Sequence, residues 1–248
     1  MEPICYVAFD IEISREIPEG TEDWRSLRPL GISCAATLTE AGELRLWHGP
    51  EGPDGRYSPA MAPEEVELLV SYLAEQNLAG RPPLTWNGLG FDFDVLAEEC
   101  RSELGALVCQ ELALAHVDMG FQMFCEKGFM CGLDATAKGM YLPGKTEGMH
   151  GDLAPVMWAQ GRAEQDKVLE YVAQDVRTTA EVYDATVIEG VLSWVTKRGT
   201  RGHWGPRDAH RGRLLTVEEC LALPEPDTSW MDNPWPRSKF TAWLGIGE

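Results

Sequence analysis

The sequence predicts an α/β fold, with a central mixed sheet flanked by helices. Three observations support this prediction. Residues 4–13 form an apolar run typical of a central strand, strand-like segments precede the first helix, and a long amphipathic helix is predicted over residues 163–190. At 248 residues the chain is long enough to bury a complete hydrophobic core.

Three predicted strands come before any helix. Residues 4–13 carry one wholly apolar face, so we expect helices to cover this strand. A loop rich in proline and charged residues follows over residues 14–30. Residues 31–39 and 42–49 read as two further strands joined by a short turn, which predicts a hairpin. We therefore expect the first three strands to be antiparallel neighbours.

Helices dominate the following part of the chain and are interrupted by one strand. Residues 62–77 have Pro63 near their start, two glutamates in the first turn and the apolar spacing of an amphipathic helix. A short strand over residues 82–88 then leads into helical sequence. The remaining predicted helices cover residues 90–100, 103–116, 132–145 and 163–190.

The charge of the chain limits the kinds of surface it can offer. Its formal net charge is −19, so a broadly basic surface for nucleic acid is not expected. The imbalance lies in residues 1–190, with 13 Lys and Arg against 33 Asp and Glu, whereas residues 191–248 hold 8 against 7. We therefore predict one domain over residues 1–190 and a short C-terminal extension, basic and rich in tryptophan, over residues 191–248.

Cysteine usage and hydropathy favour a cytoplasmic protein. The seven cysteines are scattered and include no C-x-x-C pair, which argues against a disulfide framework and against a structural zinc site. No apolar run reaches the length of a membrane span, and the first residues do not resemble a signal peptide. We expect no membrane contact.

Acidic side chains occur in three predicted elements where helix or strand periodicity does not require them. Asp10 and Glu12 lie two residues apart near the end of the first strand, so they share a face. Asp92 lies at a strand-to-helix junction, and Tyr171 and Asp175 share one face of the long helix. Four carboxylates from three separate elements suit two Mg²⁺ or Mn²⁺ ions, which prefer oxygen ligands and can promote phosphoryl displacement by water.

Three motifs, in this order, resemble those of the DEDD exonucleases, which have a ribonuclease H-like fold and remove nucleotides from 3′ ends. They are Asp10-x-Glu12, Asn87-Gly88-x-x-Phe91-Asp92 and Tyr171-x-x-x-Asp175. The tyrosine indicates the DEDDy branch, because the DEDDh branch would carry histidine at position 170, which is Glu170.

Two further segments, HVDM at residues 116–119 and LPGKTEG at residues 142–148, resemble the proofreading exonuclease domain of family B DNA polymerases. The resemblance covers about residues 4–188. The residues that follow are too few for a polymerase domain, so we expect a stand-alone exonuclease.

The resemblance implies a role for each acidic residue. Asp10 would bridge two metal ions, and Glu12 and Asp175 would complete the site that activates water. Asp92 would serve the second ion through water, and Tyr171 would orient the nucleophile. No nucleophilic side chain is then needed.

Other aspartates have structural interpretations. The spacing from Asn87 selects Asp92 over Asp94, so we expect Asp94 to point elsewhere. Asp118 is interpreted as a structural polar residue near the site. Asp152 precedes a helical stretch and is interpreted as its N-cap.

Candidate contacts with nucleic acid come from the motifs and from the basic segment at residues 194–215. The candidates are Asn87, Phe91, Lys145, Lys197, Arg198, Arg201 and Trp204. Basic residues interleaved with aromatic ones suit a groove that follows a phosphate backbone and stacks bases. The alternatives are an exposed turn lysine at position 145 and, for the C-terminal segment, a solvated hairpin that pairs with the acidic body or docks a protein partner.

The sequence therefore predicts a metal-dependent 3′–5′ exonuclease that acts on single-stranded nucleic acid, with DNA favoured over RNA, and that releases nucleoside 5′-monophosphates. The alternative is a ribonuclease H-like binding module or accessory subunit of a DNA repair, replication or defence complex, without catalysis of its own.

Overall fold

A five-stranded mixed sheet forms the centre of the computed structural model, which describes residues 5–144 and 151–245. Its spatial order is β3-β2-β1-β4-β5. The strands are β1 (Val7–Ile13), β2 (Ile32–Thr39), β3 (Leu44–His48), β4 (Pro83–Thr85) and β5 (Val117–Asp118). The pairs β1–β2 and β2–β3 are antiparallel, whereas β1–β4 and β4–β5 are parallel. The prediction of a mixed sheet whose first three strands are antiparallel is confirmed.

In the part of the chain that the structure describes, seven helices lie between β3 and the C-terminal segment, on both sides of the sheet. They are α1 (Pro63–Leu78), α2 (Asp92–Glu99), α3 (Glu103–Ala115), α4 (Met119–Lys127), α5 (Leu133–Gly139), α6 (Ala154–Gln160) and α7 (Arg162–Glu189). The sequence did not predict α4 or β5. The predicted strand at residues 82–88 ends early, because Asn87 has a positive φ of 69° that an extended strand does not accommodate.

The two faces of β1 pack against different helices. Phe9 and Ile11 belong to one buried cluster with Leu69 of α1 and Phe93 of α2. Ala8, on the opposite face, belongs to a second cluster, which includes residues of α7. Because side chains alternate along a strand, residues 10 and 12 lie on the same face as Ala8, the face that α7 covers.

The C-terminal segment folds back onto the body. It contains β6 (Leu192–Val195), β7 (Arg201–Trp204), α8 (Val217–Leu221) and α9 (Ser238–Thr241), and β6 pairs antiparallel with β7. The backbone of β6 lies against Gly139 at the end of α5. Val217 and Phe240 are buried in the same cluster as Phe9, so this segment contributes to the main core.

Two further features concern the cysteines and the hydropathy of the helices. All seven cysteines are free thiols, as predicted. In the part of the chain that the structure describes, no helix combines the length and the apolar character that crossing a membrane requires.

Candidate active site

Three carboxylates meet where α7 crosses the end of β1. One oxygen from each of Asp10, Glu12 and Asp175 lies within 4.8 Å of the others. Glu12 and Asp175 are buried, with exposed fractions of 6% and 5%. Such a cluster is costly unless positive charge compensates it, and an all-oxygen donor set is what a hard divalent cation prefers. The three side chains therefore fit a divalent metal ion.

An open cavity of about 420 Å³ lies in front of the carboxylates. Its lining contains all five predicted catalytic residues and two of the predicted substrate contacts: Asp10, Glu12, Asp92, Tyr171, Asp175, Asn87 and Phe91. Elements from across the sequence thus converge on one cavity. Trp86 also lines it and was missed by the sequence analysis, although its position directly before Asn87 was a usable signal.

Asp92 lies beside the cluster without being part of it. It begins α2, is 5% exposed, and its Oδ1 accepts a hydrogen bond of 3.2 Å from the backbone N–H of Ile11. Burial raises the pKa of Asp92 to about 7, and the charges of Asp118 and Asp175 act in the same direction, against the hydrogen bond from Ile11. A cation bound nearby would therefore favour the charged form of this carboxylate.

Asp94 points away from the cluster, as expected. Its carboxylate accepts a hydrogen bond of 2.7 Å from Arg25 Nε and a second hydrogen bond from Arg28. Both guanidinium groups lie over the Trp24 ring, at 4.6 and 5.2 Å from its centroid. Trp24 in turn meets the edge of Phe91, with ring centroids 5.0 Å apart. Asp94 therefore helps to hold one wall of the cavity.

Asp118 shapes the segment between β4 and α2. Its Oδ1 accepts hydrogen bonds from the backbone N–H groups of Asn87 at 2.8 Å and Phe121 at 2.9 Å, and its Oδ2 accepts one from Leu89 at 3.0 Å. The side chain thus caps α4 and fixes the turn that carries Asn87. This agrees with the structural interpretation of Asp118.

Tyr171 and Asp175 lie one turn apart on α7. Tyr171 is 2% exposed and still contributes to the cavity lining. The helical period predicted this shared face. By contrast, the prediction that Asp152 caps α6 was wrong: Leu153 occupies that position without a side-chain hydrogen bond, and Asp152 is exposed in a short 3₁₀ helix at the cavity lining.

The predicted contacts in the C-terminal segment do not line this cavity, as the described residues define it. Lys197 and Arg198 are exposed in the turn between β6 and β7. Arg201 donates a hydrogen bond of 3.0 Å to the Tyr141 hydroxyl and lies over its ring. Lys145 lies outside the described residues.

Trp204 occupies a position that differs from the one expected. It is only 8% exposed, belongs to the second buried cluster, and its Nε1–H donates a hydrogen bond of 3.2 Å to Glu126 Oε2. The indole packs inside the protein, so the expectation that Trp204 stacks on bases is corrected here.

Comparison with known proteins identifies the family to which the chain belongs. A structure of the family B DNA polymerase from the hyperthermophilic archaeon Pyrobaculum calidifontis is similar to 75% of this chain, with 21% identity and a TM-score of 0.48. The match covers 25% of that polymerase, so the chain spans about a quarter of its length. No curated protein matches the chain. The RNase H superfamily model matches residues 54–187, more than half of the chain, and the protein therefore belongs to the RNase H superfamily.

Proposed function

We propose that the chain is a metal-dependent 3′–5′ exonuclease of the DEDDy type that acts on single-stranded nucleic acid, with DNA favoured over RNA. The observation that carries this proposal is the cluster of Asp10, Glu12 and Asp175 in a cavity that also contains Asp92 and Tyr171. Membership of the RNase H superfamily supports it.

The carboxylates would hold two divalent cations. Asp10, Glu12 and Asp175 would bind one ion, and Asp10 and Asp92 would serve the second. When bound, Mg²⁺ or Mn²⁺ supplies an acidified water and stabilises charge on the phosphoryl oxygens. The released product would be a nucleoside 5′-monophosphate.

The remaining cavity residues would orient the substrate and the water. The Tyr171 hydroxyl would hold the attacking water in line with the scissile bond. Trp86 and Phe91 supply aromatic surface at the lining, where the terminal base can pack.

Replacing Asp10 tests the chemistry. With Mg²⁺ or Mn²⁺, the wild-type protein should shorten a 5′-labelled single-stranded oligonucleotide stepwise from its 3′ end. Asp10→Asn should reduce the rate on the order of 10²–10³-fold or more, because a charged ligand is lost from the reacting centre. Its melting temperature should be unchanged or raised, because one of three clustered negative charges is removed.

The matched control is Asp166→Asn, an equivalent change at an exposed position of α7, where Asp166 pairs with Arg162. This variant should degrade the oligonucleotide at the wild-type rate. Full activity of Asp10→Asn, or an intact substrate with wild-type protein in both metals while a reference exonuclease digests it, would refute the proposal. Binding without product in either metal would instead support a binding module without catalysis.

A panel of labelled single-stranded DNA, duplex DNA and RNA, with Asp10→Asn as the blank, tests the substrate preference. We expect single-stranded DNA to be shortened fastest. Faster degradation of RNA would contradict the preference for DNA and leave the proposed chemistry in place.

A further inference from the structure

A second groove lies between the end of α4 and the C-terminal segment. It has a volume of about 410 Å³ and is lined by residues 128–130 and 230–235. Two tryptophans dominate its surface: Trp230 is 64% exposed and Trp235 is 50% exposed. We call it the tryptophan groove. Large aromatic side chains exposed to this extent in one groove indicate a surface that binds something.

Both tryptophans are fixed in orientation. The Trp230 Nε1–H donates a hydrogen bond of 3.1 Å to the carbonyl of Asp227, and the Trp230 ring meets Phe129 edge-on, with centroids 6.0 Å apart. Trp235 contacts Phe240, and the Lys239 ammonium lies 3.4 Å from the Trp235 ring centroid. Because these rings are held in place before a ligand arrives, binding would cost little side-chain entropy.

The tryptophan groove and the carboxylate cavity adjoin the same turn of the chain, residues 86–91. On the groove side, Met130 and Asn87 are near neighbours. A Cβ added to Gly120 would have both the Met130 Sδ and the Asn87 backbone nitrogen within 3.3 Å. On the cavity side, Trp86 is tied to this wall, since its Nε1–H donates a hydrogen bond of 2.9 Å to the carbonyl of Cys131. Residues that line the cavity, Trp86 and Asn87, are therefore neighbours of the segment that carries Met130 of the groove.

The C-terminal segment also contacts this turn directly. The Trp243 Nε1–H donates a hydrogen bond of 2.9 Å to the carbonyl of Leu89, and the Phe240 ring lies 2.9 Å from the Cβ position of Gly90. Phe240 also contacts Trp235. A polymer seated in the cavity could therefore pass over residues 86–91 onto the two exposed indoles.

The chemistry of the groove favours a nucleic-acid strand. Base stacking depends on flat aromatic faces and does not need a strongly positive surface. Binding by stacking is therefore compatible with a net charge of −19. Lys239 lies beside the Trp235 ring, where a backbone phosphate next to a stacked base could meet it, while Asp232 contributes one carboxylate to the lining of the groove.

We propose that the tryptophan groove binds the bases of single-stranded nucleic acid that precede the terminal nucleotide in the cavity, with Trp230 and Trp235 as the stacking residues. This inference rests on the proposed exonuclease function. The enzyme should then prefer strands that are long enough to reach the groove.

The test uses the double variant Trp230→Ala/Trp235→Ala in the full chain. Fluorescence anisotropy in the Asp10→Asn background, with Mg²⁺, measures binding of labelled oligothymidylates of about 15 and about 3 nucleotides, lengths at the two ends of common single-strand site sizes. We expect the double variant to weaken binding of the long probe at least about tenfold, and Trp230→Phe/Trp235→Phe to restore most of it. In the active protein, the advantage in kcat/KM of the long substrate over the short one should fall similarly, through KM.

The matched control is Leu78→Ala/Leu104→Ala, which removes two exposed apolar side chains that line neither site. This control should leave binding of both probes unchanged. Unchanged affinity of the double tryptophan variant for the long probe overturns the proposal, and an accompanying change of oligomeric state assigns the groove to a second copy of the chain. If the wild type cleaves nothing while binding still depends on the tryptophans, the groove inference holds and the exonuclease proposal fails.

Discussion

At the residue scale, Asp92 combines burial with two acidic neighbours, Asp118 and Asp175. The pKa of this carboxyl is about 7 in the folded protein, whereas the pKa of an aspartate in an unfolded chain is about 3.9. Between these two pH values the folded state keeps a proton that the unfolded state has released. The resulting contribution to stability is complete below about pH 4 and is lost as the pH rises through about 7.

The metal-free protein should therefore become less stable as the pH rises from about 5 to about 8, by an amount on the order of a few kcal/mol. Asp92→Asn should flatten this dependence, measured as melting temperature against pH in EDTA. Added Mn²⁺ should raise the melting temperature more at the upper pH, because metal-binding carboxylates must be deprotonated. Asp166→Asn serves as the control and should keep the wild-type slope. An identical slope in Asp92→Asn would exclude this residue as the source.

Short-range periodicity is what made several site residues predictable. Asp10 and Glu12 share a face because strands alternate, and Tyr171 and Asp175 share one because a helix repeats about every 3.6 residues. Contacts between distant parts of the chain could not be predicted in the same way. Asp118 also binds backbone N–H groups about 30 residues away, and Trp204 is held by Glu126, 78 residues away, and these long-range contacts leave no local pattern.

At the scale of elements, helices with one apolar face were predicted and a helix buried on all sides was not. The pattern over residues 62–77 matches α1, with its proline and glutamates in the first turn. In α4, by contrast, every residue from Met119 to Cys125 is buried, so no polar face marks the helical period. The strand β5 has two residues, too few for any alternation to show.

The contact between α5 and β6 depends on Gly139. A Cβ at this position would lie 2.3 Å from the Trp194 Cα and 2.5 Å from the Ser193 carbonyl oxygen, and backbone atoms cannot rotate away. Gly139→Ala should therefore lower the free energy of unfolding by about 1–3 kcal/mol in urea titrations.

Gly132 provides the comparison within the same helix. It precedes α5 with a φ of −74°, and nothing lies within 4 Å of its Cβ position. Gly132→Ala should lower the free energy of unfolding by less than Gly139→Ala does, by about 1 kcal/mol or less, because only the poorer N-cap preference of alanine acts there. Equal stability of the two variants would contradict the close packing of β6 on α5.

At the scale of the whole molecule, two parts of different composition share one core. The sequence predicted a boundary near residue 190 from charge alone, and that division remains a prediction. In the structure, Phe240 contacts Phe121 and Phe124 of α4, with ring centroids 5.6 and 4.7 Å apart. The composition of a segment does not show which residues it packs against. Here the packing partners are more than 100 residues away in the sequence.

A chain that ends at Gly190 should therefore lose much of its stability, because the apolar surface of α4 would be exposed. Phe240→Ala alone should cost about 3–5 kcal/mol, which corresponds to a loss of about 10 °C in melting temperature. Thermal unfolding followed by circular dichroism measures both, with Leu78→Ala on the exposed face of α1 as the control. If residues 1–190 melt cooperatively at the wild-type temperature, the C-terminal segment is an independent unit.

The hydrogen bonds of Asp118 affect how the site can tolerate variation. This carboxylate holds the turn through the backbone N–H groups of Asn87 and Leu89, which most residue types would supply equally well. The shape of the turn is therefore encoded at position 118, outside the turn itself. Substitution of Trp86 or Phe91, the aromatic residues of this segment at the cavity, would leave both hydrogen bonds in place. Asn87, with its positive φ, and Gly90, packed close to Phe240, remain constrained.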